Sequence, residues 1–440
     1  MSGYAEYREV NLPWLKAVPA HWEIRRNKNI FTEQKEIVGE RSADYTLLSL
    51  TLNGIIPRDM DGGGKFPESF DKYKIVKNGD MAFCLFDIDE TPRTVGLSGY
   101  NGMLTGAYTI MRVSNINARF IYYYYLALDN GKMLRPLYTG LRKTININTF
   151  QSTKVPVPPR EEQDQIVRFL DWKVSSINKL INIKHKEISE LNESLNTKLR
   201  NVLLSVPNVK EVPLKRICSV PMTDGPHETP TFVDSGIPFV SAEASHDGRI
   251  HLDECRGFIT REQHEVYCQK VRPHKNDIFI VKSGSTTGKT VMVDFDVEFS
   301  IWSPLALVRC NNLAMPRYVF FYCTSVMFQK QVRDNWSFGT QPNIGMGVLE
   351  NLRLPLPEIE EQRAIVDTLD AYWSKVLQVK CNLKKQIEEF QSLKTRIIAD
   401  AVTGKIDVRG IEIPEYEFVD EDADADNEGD GEEDTEEQED

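Results

Sequence analysis

Apolar residues recur with a strict 4,3 spacing in two stretches of the chain, which predicts two long helices. The first series runs from Leu170 to Val202, and adding 199 to each position gives the second, from Leu369 to Ala401. Such spacing is typical of coiled-coil seams. The predicted seam comprises Leu170, Val174, Ile177, Ile181, Ile188, Leu191, Leu195, Leu369, Trp373, Val376, Leu383, Ile387, Phe390 and Ile397.

Lysines interrupt both seams, at positions 184, 198, 380 and 394. Charged seam positions lower stability and can restrict register or partner orientation. Each helix begins with Pro followed by Glu, and Gly404 is a suitable stop for the second. At 1.5 Å per residue, the span of about 33 residues predicts a rod of roughly 50 Å that can hold two globular parts apart.

The chain contains an internal repeat. The segment "KVPVPPREEQDQIVRFLD" matches "RLPLPEIEEQRAIVDTLD" at an offset of 199, with Gln163 aligned to Gln362 and Ile166 to Ile365. Upstream, "RFIYYYYLAL" matches "RYVFFYCTSV" at an offset of 198. We interpret the aromatic run as core and not as a platform for stacking bases. Each repeat is therefore a globular part followed by a long helix.

The globular parts are predicted over residues 1–155 and 206–355. Both contain short β-branched and aromatic runs broken by Gly, Asn, Asp and Pro, such as "HKNDIFIVKSG", and this favours a strand-rich α/β (α+β) domain. The helices are predicted over 156–205 and 356–403, and a return segment over 404–414.

Charge is divided unevenly along the chain. Residues 415–440 hold 16 acidic and no basic residues, which leaves 53 basic against 49 acidic residues elsewhere, although the net charge of the whole is -12. We expect 415–440 to be a disordered, solubilising tail. A DNA-mimicking or partner-binding tail is the alternative. The mildly basic body permits nucleic-acid binding without demonstrating it.

Cysteine usage and the N-terminus favour a soluble, intracellular protein. The seven cysteines form no CxxC pair, which argues against a disulfide framework or a zinc site. The start "MSGYAEYREV" is unlike a signal peptide, and "FIYYYYLAL" is too short to span a bilayer.

The segment "SGSTTGKT" at 283–290 is similar to a phosphate-binding loop but fails two of its requirements. Only three residues separate Gly284 from Gly288, where a Walker A loop needs four. The following "TVMVDFDVEF" predicts a strand, whereas a phosphate-binding loop needs a helix there. We therefore predict a hairpin whose lysines and hydroxyls suit DNA phosphates and base edges. A solvated hairpin tip is the alternative.

The segments "GLRKTININTFQSTKVPVPPREEQDQIVRFLD", "GTQPNIGMGVLENLRLPLPEIEEQRAIVDTLD" and "RIIADAVTGKIDV" resemble specificity (S) subunits of type I restriction-modification systems. So do "TDGPHETP", "GIPFVSAE" and "IVKSGSTTGK" in the second globular part. The resemblance covers about residues 1–410. The first globular part departs from the "DGPH" pattern, and the acidic tail has no counterpart in it.

The resemblance implies two target-recognition domains, each binding one half of a bipartite, asymmetric double-stranded DNA target. It implies that the long helices pair antiparallel as a spacer and bind two modification (methyltransferase) subunits, with restriction subunits joining through the complex. The chain itself would be non-catalytic, without cofactor or metal, in a prokaryotic cytoplasm. S-adenosylmethionine would belong to the methyltransferases, and ATP and Mg to the restriction subunits.

Candidate DNA contacts follow from side-chain chemistry. Arg, Asn and Gln can make bidentate contacts with bases, while Lys and hydroxyls mostly contact the backbone. The candidates are Arg25, Arg26, Arg93, Arg142, Lys143 and Asn146 in the first part, and His227, Lys282, Ser285, Thr287, Lys289, Gln341 and Asn343 in the second.

Two other classes of function compete with DNA recognition. One is a coiled-coil protein scaffold that does not bind DNA specifically, and the other is a P-loop enzyme. Salt-sensitive, sequence-dependent DNA binding separates recognition from the scaffold. ATP hydrolysis that depends on Lys289 would be required of the enzyme.

Overall fold

The computed structural model describes residues 3–52, 54–58, 69–138, 143–270, 272–338 and 341–421. These residues form two compact units. Within the described ranges, the first unit contains residues up to 185 together with 385–421, and the second contains residues 186–384. The division falls inside both predicted long helices, so each unit holds one end of each helix.

The first unit is built mainly from short strands. These are β1 (Tyr7–Leu12), β2 (Leu15–Pro19), β3 (Glu23–Arg26), β4 (Phe31–Gln34), β5 (Leu48–Thr51), β6 (Gly54–Pro57), β7 (Lys74–Val76), β8 (Asp80–Phe83), β9 (Val95–Leu97), β10 (Gly102–Leu104), β11 (Thr109–Val113) and β12 (Lys154–Val157). Its helices are α1 (Ala118–Asn130), α2 (Ile147–Ser152) and the start of α3 (Arg160–Leu203).

An antiparallel four-stranded sheet, in the order β4, β11, β8, β9, lies at the centre of the first unit. Helix α1 contributes Tyr125 to the core. The centroid of its ring lies 5.1 Å from that of Phe83 and 5.7 Å from that of Phe150. Tyr124 is also fully buried, and its hydroxyl accepts a hydrogen bond from Trp14 Nε1 at 2.8 Å. The interpretation of the aromatic run as core agrees with this packing.

The second unit repeats this plan with shorter strands. These are β13 (Glu211–Pro213), β14 (Thr223–Asp224), β15 (Ile237–Val240), β16 (Ser245–His246), β17 (Arg249–Ile250), β18 (Gly257–Ile259), β19 (Ile278–Val281), β20 (Thr290–Met292), β21 (Ser300–Ile301), β22 (Leu305–Val308), β23 (Ser337–Phe338), β24 (Pro342–Asn343) and β25 (Arg353–Pro355). Its helices are α4 (Arg261–Cys268), α5 (Pro316–Thr324), α6 (Val326–Asn335), α7 (Met346–Leu349) and the start of α8 (Ile359–Val402).

The main sheet of the second unit has six strands in the order β14, β22, β19, β20, β17, β16. Its central strands β19 and β22 are apolar and buried along their whole length, as strands covered on both faces should be. Strands β19 and β20 are antiparallel neighbours. The segment 283–290 therefore joins two strands of a hairpin and leads into no helix, as its sequence predicts.

A buried glutamine fastens each long helix to its own unit. Gln163 donates to Pro158 O at 2.8 Å and accepts from the N–H of Asn117 at 2.8 Å. Its repeat counterpart, Gln362, donates to Pro357 O at 2.9 Å and accepts from the N–H of Met315, the residue before α5, at 2.8 Å. The Gln of the duplicated "EEQ" therefore connects the start of each long helix to the preceding domain through hydrogen bonds.

Replacing Gln362 by Ala is expected to destabilise the second unit. Gln362 is fully buried, so the change leaves the N–H of Met315 and the carbonyls of Pro357 and Leu313 without their partner. An unsatisfied buried group costs about 1–3 kcal/mol, and a thermal transition lower by roughly 3–10 °C should follow. Differential scanning calorimetry checks this. The control is Gln386→Ala, an exposed position on α8, and equal transitions for both variants would contradict the role.

The long helices are each 44 residues long and run antiparallel within each unit. In the first unit, Lys394 Nζ of α8 donates to Asn178 Oδ1 of α3 at 3.3 Å, and Leu170 shares a core with Val402. In the second unit, the hydroxyls of Ser194 and Tyr372 are 2.7 Å apart. Every predicted seam residue is buried or half-buried. At 1.5 Å per residue each helix is about 66 Å long, which exceeds the predicted rod.

The predicted fold class is confirmed, and the long helices begin and end within a few residues of their predicted bounds. The predicted globular parts fall in different units, but each unit also includes an end of the other repeat's helix. Within the described part of the chain, none of the helices has the length and apolarity that crossing a bilayer requires.

The predicted start of the disordered tail at residue 415 differs from the structure. Residues 415–421 form an extended segment along α3, and residues 422–440 lie outside the described residues. Ser175 Oγ accepts from the N–H of Val419 at 2.8 Å, and Asn178 Nδ2 donates to Val419 O at 3.2 Å. Glu421 pairs with the seam lysine Lys394. Buried polar groups on α3 and α8 therefore hold the segment in place, although its composition is that of a disordered chain.

Truncation after residue 414 is expected to lower the stability of the first unit. With the segment in place Ser175 and Asn178 are 2% and 5% exposed, and its removal takes away their hydrogen bonds with its backbone, each of which contributes about 0.5–1.5 kcal/mol. Truncation after residue 421 is the matched control, because it keeps the bound segment. Thermal denaturation should give a transition several degrees lower for the shorter chain, and identical transitions would show that the segment contributes nothing.

Candidate nucleic-acid interface

The loop between β19 and β20, residues 282–289, is here called loop B. It is held against β24 by main-chain hydrogen bonds: the N–H of Gly284 donates to Pro342 O at 3.1 Å, and that of Ile344 donates to Lys282 O at 2.8 Å. This pairing brings together residues that are far apart in sequence.

Two glycines and a threonine fix the shape of loop B. Gly284 and Gly288 have φ values of 102° and 96°, in the left-handed region that glycine tolerates. The hydroxyl of Thr287 lies near two carbonyls, at 2.8 Å from Gly284 O and 3.0 Å from Pro342 O. Thr287 was predicted to contact DNA, but it is only 8% exposed and its hydroxyl forms hydrogen bonds within the unit.

Ser285, Gln341 and Asn343 are exposed on loop B and the segment paired with it. Main-chain bridging of Ser283 and Asn343 keeps the two segments in register. A carboxamide can donate and accept simultaneously, which is what bidentate contact with adenine requires. Three of the predicted residues thus form one exposed polar edge.

A buried carboxylate organises the cations beside this edge. Asp224, 7% exposed, lies 3.1 Å from Lys282 Nζ, 2.6 Å from Lys270 Nζ and 3.2 Å from His227 Nε2. Burial raises the pKa of Asp224, but hydrogen bonds from Lys270 and Lys282 outweigh it and hold the pKa below its usual value. A cavity of about 160 Å³, lined by residues including Asp224, Lys270 and Tyr267, adjoins the group.

The two predicted lysines of loop B have different surroundings. Lys282 is 13% exposed and engaged by Asp224, while His227 is 72% exposed. Burial lowers the pKa of Lys289, whose electrostatic neighbours are Asp247 and Lys384, the latter on α8. The charged neighbours of Lys289 are therefore Asp247 and Lys384 of α8, and not Asp224 and its partners.

The first unit has an equivalent loop, residues 84–94 between β8 and β9, here called loop A. The N–H of Ile145 donates to Leu85 O at 2.8 Å, which repeats the connection made by Ile344 in the second unit. Side chains differ completely: Asp89 accepts from Arg135 Nε at 2.9 Å, and Lys143 Nζ donates to Glu90 at 3.0 Å. One backbone plan thus presents two different chemistries.

Several candidates of the first unit are engaged within the unit. Arg93 is 16% exposed and pairs at 3.2 Å with the buried Asp129, which argues against a DNA contact. Arg25 pairs with Glu23 at 2.7 Å, while Arg26 is exposed and makes no ion pair within the described ranges.

The remaining candidates in the first unit are a helix cap and a residue that cannot be placed. Asn146 Oδ1 accepts from the N–H of Asn148 and caps α2. Arg142 lies outside the described residues. The structure adds Arg135, 66% exposed, which sequence reasoning missed because its partner Asp89 is distant in sequence. Asp224 was also missed, although it lies in the quoted "TDGPHETP" segment, whereas Lys270 has no local signal.

Comparison with known proteins identifies the family of the chain. The model of the type I restriction modification DNA specificity domain matches twice, over residues 70–193 and 208–389. One match lies within each half of the repeat.

Curated relatives and a solved structure agree with the family match. The chain is 24% identical over 431 residues to the type I restriction enzyme MjaVIII specificity subunit of Methanocaldococcus jannaschii, covering 92% of this chain and 98% of the relative. It is 23% identical to the putative MjaX specificity subunit of the same organism, over 89% and 95% of the two chains. A solved chain from work on complex assembly and conformational transition of the type I R-M system superposes with a TM-score of 0.56 at 16% identity, covering 88% of this chain and 99% of that one, which shows the likeness of fold.

Proposed function

The chain belongs to the type I restriction modification DNA specificity family, and we propose that each of its units binds one half of a bipartite, asymmetric DNA target. The role is sequence recognition within a restriction-modification complex, without catalysis by this chain. The observation that supports a two-part target is the structural correspondence of loops A and B. They occupy the same place in two copies of one fold but present different side chains.

Loop B and its surroundings supply both kinds of DNA contact in this proposal. Ser285, Gln341 and Asn343 contact base edges, because they are exposed and their groups can donate and accept. Lys270 and His227 contact phosphates, because phosphate oxygens accept hydrogen bonds from both neutral and cationic side chains. Asp224 positions these donors and contacts no base itself, since it is buried and surrounded by cations.

In the first unit the proposed contacts are Arg26, Arg135 and Lys143. Arg135 and Lys143 are oriented by the acidic residues of loop A, and both keep exposed side chains, at 66% and 44%. Arginine favours guanine, whereas the amides of the second unit favour adenine. The two half-sites should therefore differ in sequence.

The proposed partners follow from the family. Two modification (methyltransferase) subunits bind the long helices, and restriction subunits join through the complex. S-adenosylmethionine, ATP and Mg act in those partners. Helices α3 and α8 each extend into both units and pair antiparallel within each, which supports a spacer role.

A binding-site selection from random double-stranded DNA, made with the chain co-purified with its modification subunit, tests the division between the units. The double variant Gln341→Ala/Asn343→Ala should relax one half-site, because each bidentate contact contributes about 1–3 kcal/mol of discrimination. The other half-site should stay unchanged.

The matched control for that selection is Lys275→Ala. Lys275 precedes β19, at the opposite end of the strand from loop B, and its partner is Asp296. This variant should select the wild-type sequence. Equal relaxation of both half-sites in the double variant, or relaxation of neither, would contradict the assignment. If the wild-type complex selected no sequence at all, the result would favour the alternative function, a coiled-coil scaffold that does not bind DNA specifically.

A further inference from the structure

Two half-buried cysteines of the second unit, Cys218 and Cys310, face each other across an antiparallel bridge. The residues on either side of them are joined by two main-chain hydrogen bonds of 2.8 Å, from the N–H of Ser219 to Arg309 O and from the N–H of Asn311 to Ile217 O. The cysteines are therefore a non-hydrogen-bonded pair. In such a pair the Cα atoms lie about 4.5 Å apart and both side chains extend from the same face.

This arrangement meets the requirements of a disulfide bond, which joins Cα atoms about 4.4–6.8 Å apart. The carboxamide of Asn311 holds the two segments together, because its Nδ2 donates to Arg216 O at 3.1 Å and to Cys218 O at 3.3 Å. The thiol of Cys218 donates a hydrogen bond to Leu214 O at 3.3 Å. A thiol is a weak donor, so this bond offers little resistance to rotation of the side chain towards Cys310.

We infer that Cys218 and Cys310 form a site of oxidative modification, at which hydrogen peroxide converts the two thiols to a disulfide. The inference goes beyond the proposed function and does not depend on it. One sulfur attacks the peroxide, so that an S–O bond forms, the O–O bond breaks and one water leaves. The other sulfur attacks the resulting sulfenic acid, so that the S–S bond forms, the S–O bond breaks and a second water leaves. The thiols lose two electrons and two protons, and one peroxide becomes two waters.

Burial makes this reaction slow at neutral pH, because it raises the pKa of Cys218 and that of Cys310 to about 12. The charge of Glu350 adds to the effect on Cys218, and the charges of Cys218 and Asp277 add to that on Cys310. The thiolate is the reacting species, so the rate should rise about tenfold for each unit of pH below this value. A thiol of high pKa is also a poor leaving group, so the disulfide should be reduced slowly once formed.

The first unit has apolar residues in the corresponding places. In each unit the pair comes just after a short 3-10 helix. In the first unit the N–H of Ser114 donates to Ile30 O at 2.8 Å, and Phe31 faces Val113. The bridge itself therefore needs no thiol, and the variant Cys310→Val should keep the fold.

The disulfide would join the segment that enters the second unit to the main sheet. Cys218 precedes β14, and Cys310 follows β22, the strand with which β14 pairs. The bond would close a loop of roughly 90 residues, and in the chain-entropy model a cross-link that closes a long loop restricts the unfolded chain strongly. The oxidised chain should therefore unfold at a higher temperature.

The competing partner for either cysteine is Cys323, a fully buried thiol of α5. Burial, followed by the charges of Cys310 and Cys218, raises the pKa of Cys323 well above its usual value. Peptide mapping separates the possible pairs, because trypsin cleaves after each of three arginines and leaves the three cysteines in different peptides. These arginines are Arg216, Arg309 and Arg317.

The test treats the full chain with hydrogen peroxide, blocks the remaining thiols in acid and maps the unreduced tryptic peptides by mass spectrometry. We expect one cross-linked species, made of the peptides that begin at Ile217 and Cys310, and a rate that rises about tenfold per unit of pH. The cross-link should be absent from Cys310→Val. It should persist in the control Cys255→Ser, which removes another half-buried thiol of the same unit.

Calorimetry of the same samples measures the effect of the bond on stability. Oxidation should raise the thermal transition of wild type and Cys255→Ser by several degrees relative to oxidised Cys310→Val, and a strong reductant should reverse the rise. Absence of the cross-link in wild type, a cross-link to Cys323 in its place, or a bond between Cys218 and Cys310 that leaves the transition unchanged would overturn the inference.

Discussion

Inserting three heptads into each long helix is expected to lengthen the unspecified spacer of the DNA target by about 9 base pairs while both half-sites stay the same. Twenty-one residues add about 32 Å of helix, close to the 34–36 Å of one DNA turn. Both recognition surfaces would then meet the DNA on nearly the same face as before. The insertions belong between residues 185 and 186 and between 384 and 385, where the units divide.

This insertion must preserve the seam to be informative. Heptads with apolar residues at the seam positions continue the pairing, whereas the same insertion in α3 alone leaves it without an antiparallel partner and should abolish specific binding. A binding-site selection measures the spacer. An unchanged spacer in a folded double insertion would show that the helices do not set it.

Replacing Asp277 by Ala is expected to cost the second unit about 3–5 kcal/mol, through the loss of a buried ion pair. Asp277 is 1% exposed and accepts from Arg309 Nε and Nη2 at 2.7 Å each, and from the N–H of His274 at 2.7 Å. The hydrogen bond with Asp277 raises the pKa of Arg309. Without Asp277 the guanidinium still stays charged, because arginine is not deprotonated in proteins.

The repeat supplies a matched control for Asp277. Asp80 of the first unit accepts from the N–H of Lys77 as Asp277 does from that of His274, but its partner Arg112 lies 3.2 Å away and is 46% exposed. Asp80→Ala should therefore cost less, because water can solvate the remaining arginine. The double variant Asp277→Ala/Arg309→Leu should recover part of the loss. Denaturant unfolding measures each free energy, and equal losses for Asp277→Ala and Asp80→Ala would contradict the argument.

The repeat and the helices could be predicted from the sequence because they depend on local periodicity. The 4,3 spacing identified the seam, and the offset of 199 aligned Gln163 with Gln362, whose hydrogen bonds proved equivalent. The domain organisation followed from these regularities, whereas the family was indicated by the resemblance of the quoted segments to specificity subunits. None of them required knowledge of which distant residues meet.

The state of individual charged side chains could not be predicted in the same way. Arg93 was a reasonable DNA contact by type, but Asp129 in α1 engages it. Lys282 is engaged by Asp224, which lies far upstream. Whether a cation is free depends on such tertiary pairs, which composition does not report.

Composition also misjudged the start of the acidic tail. Acidic content predicted disorder from residue 415, yet Ser175 and Asn178 hold the start of that segment through its backbone, which any sequence possesses.

Recognition of DNA by two different units is tested by a genome-wide map of N6-methyladenine in cells that co-express this chain with its modification subunit. We expect one asymmetric motif, made of two different half-sites separated by a spacer of fixed length and unspecified sequence. A continuous motif, a symmetric one, or no motif at all with the complex shown to be intact would contradict recognition of DNA by two different units.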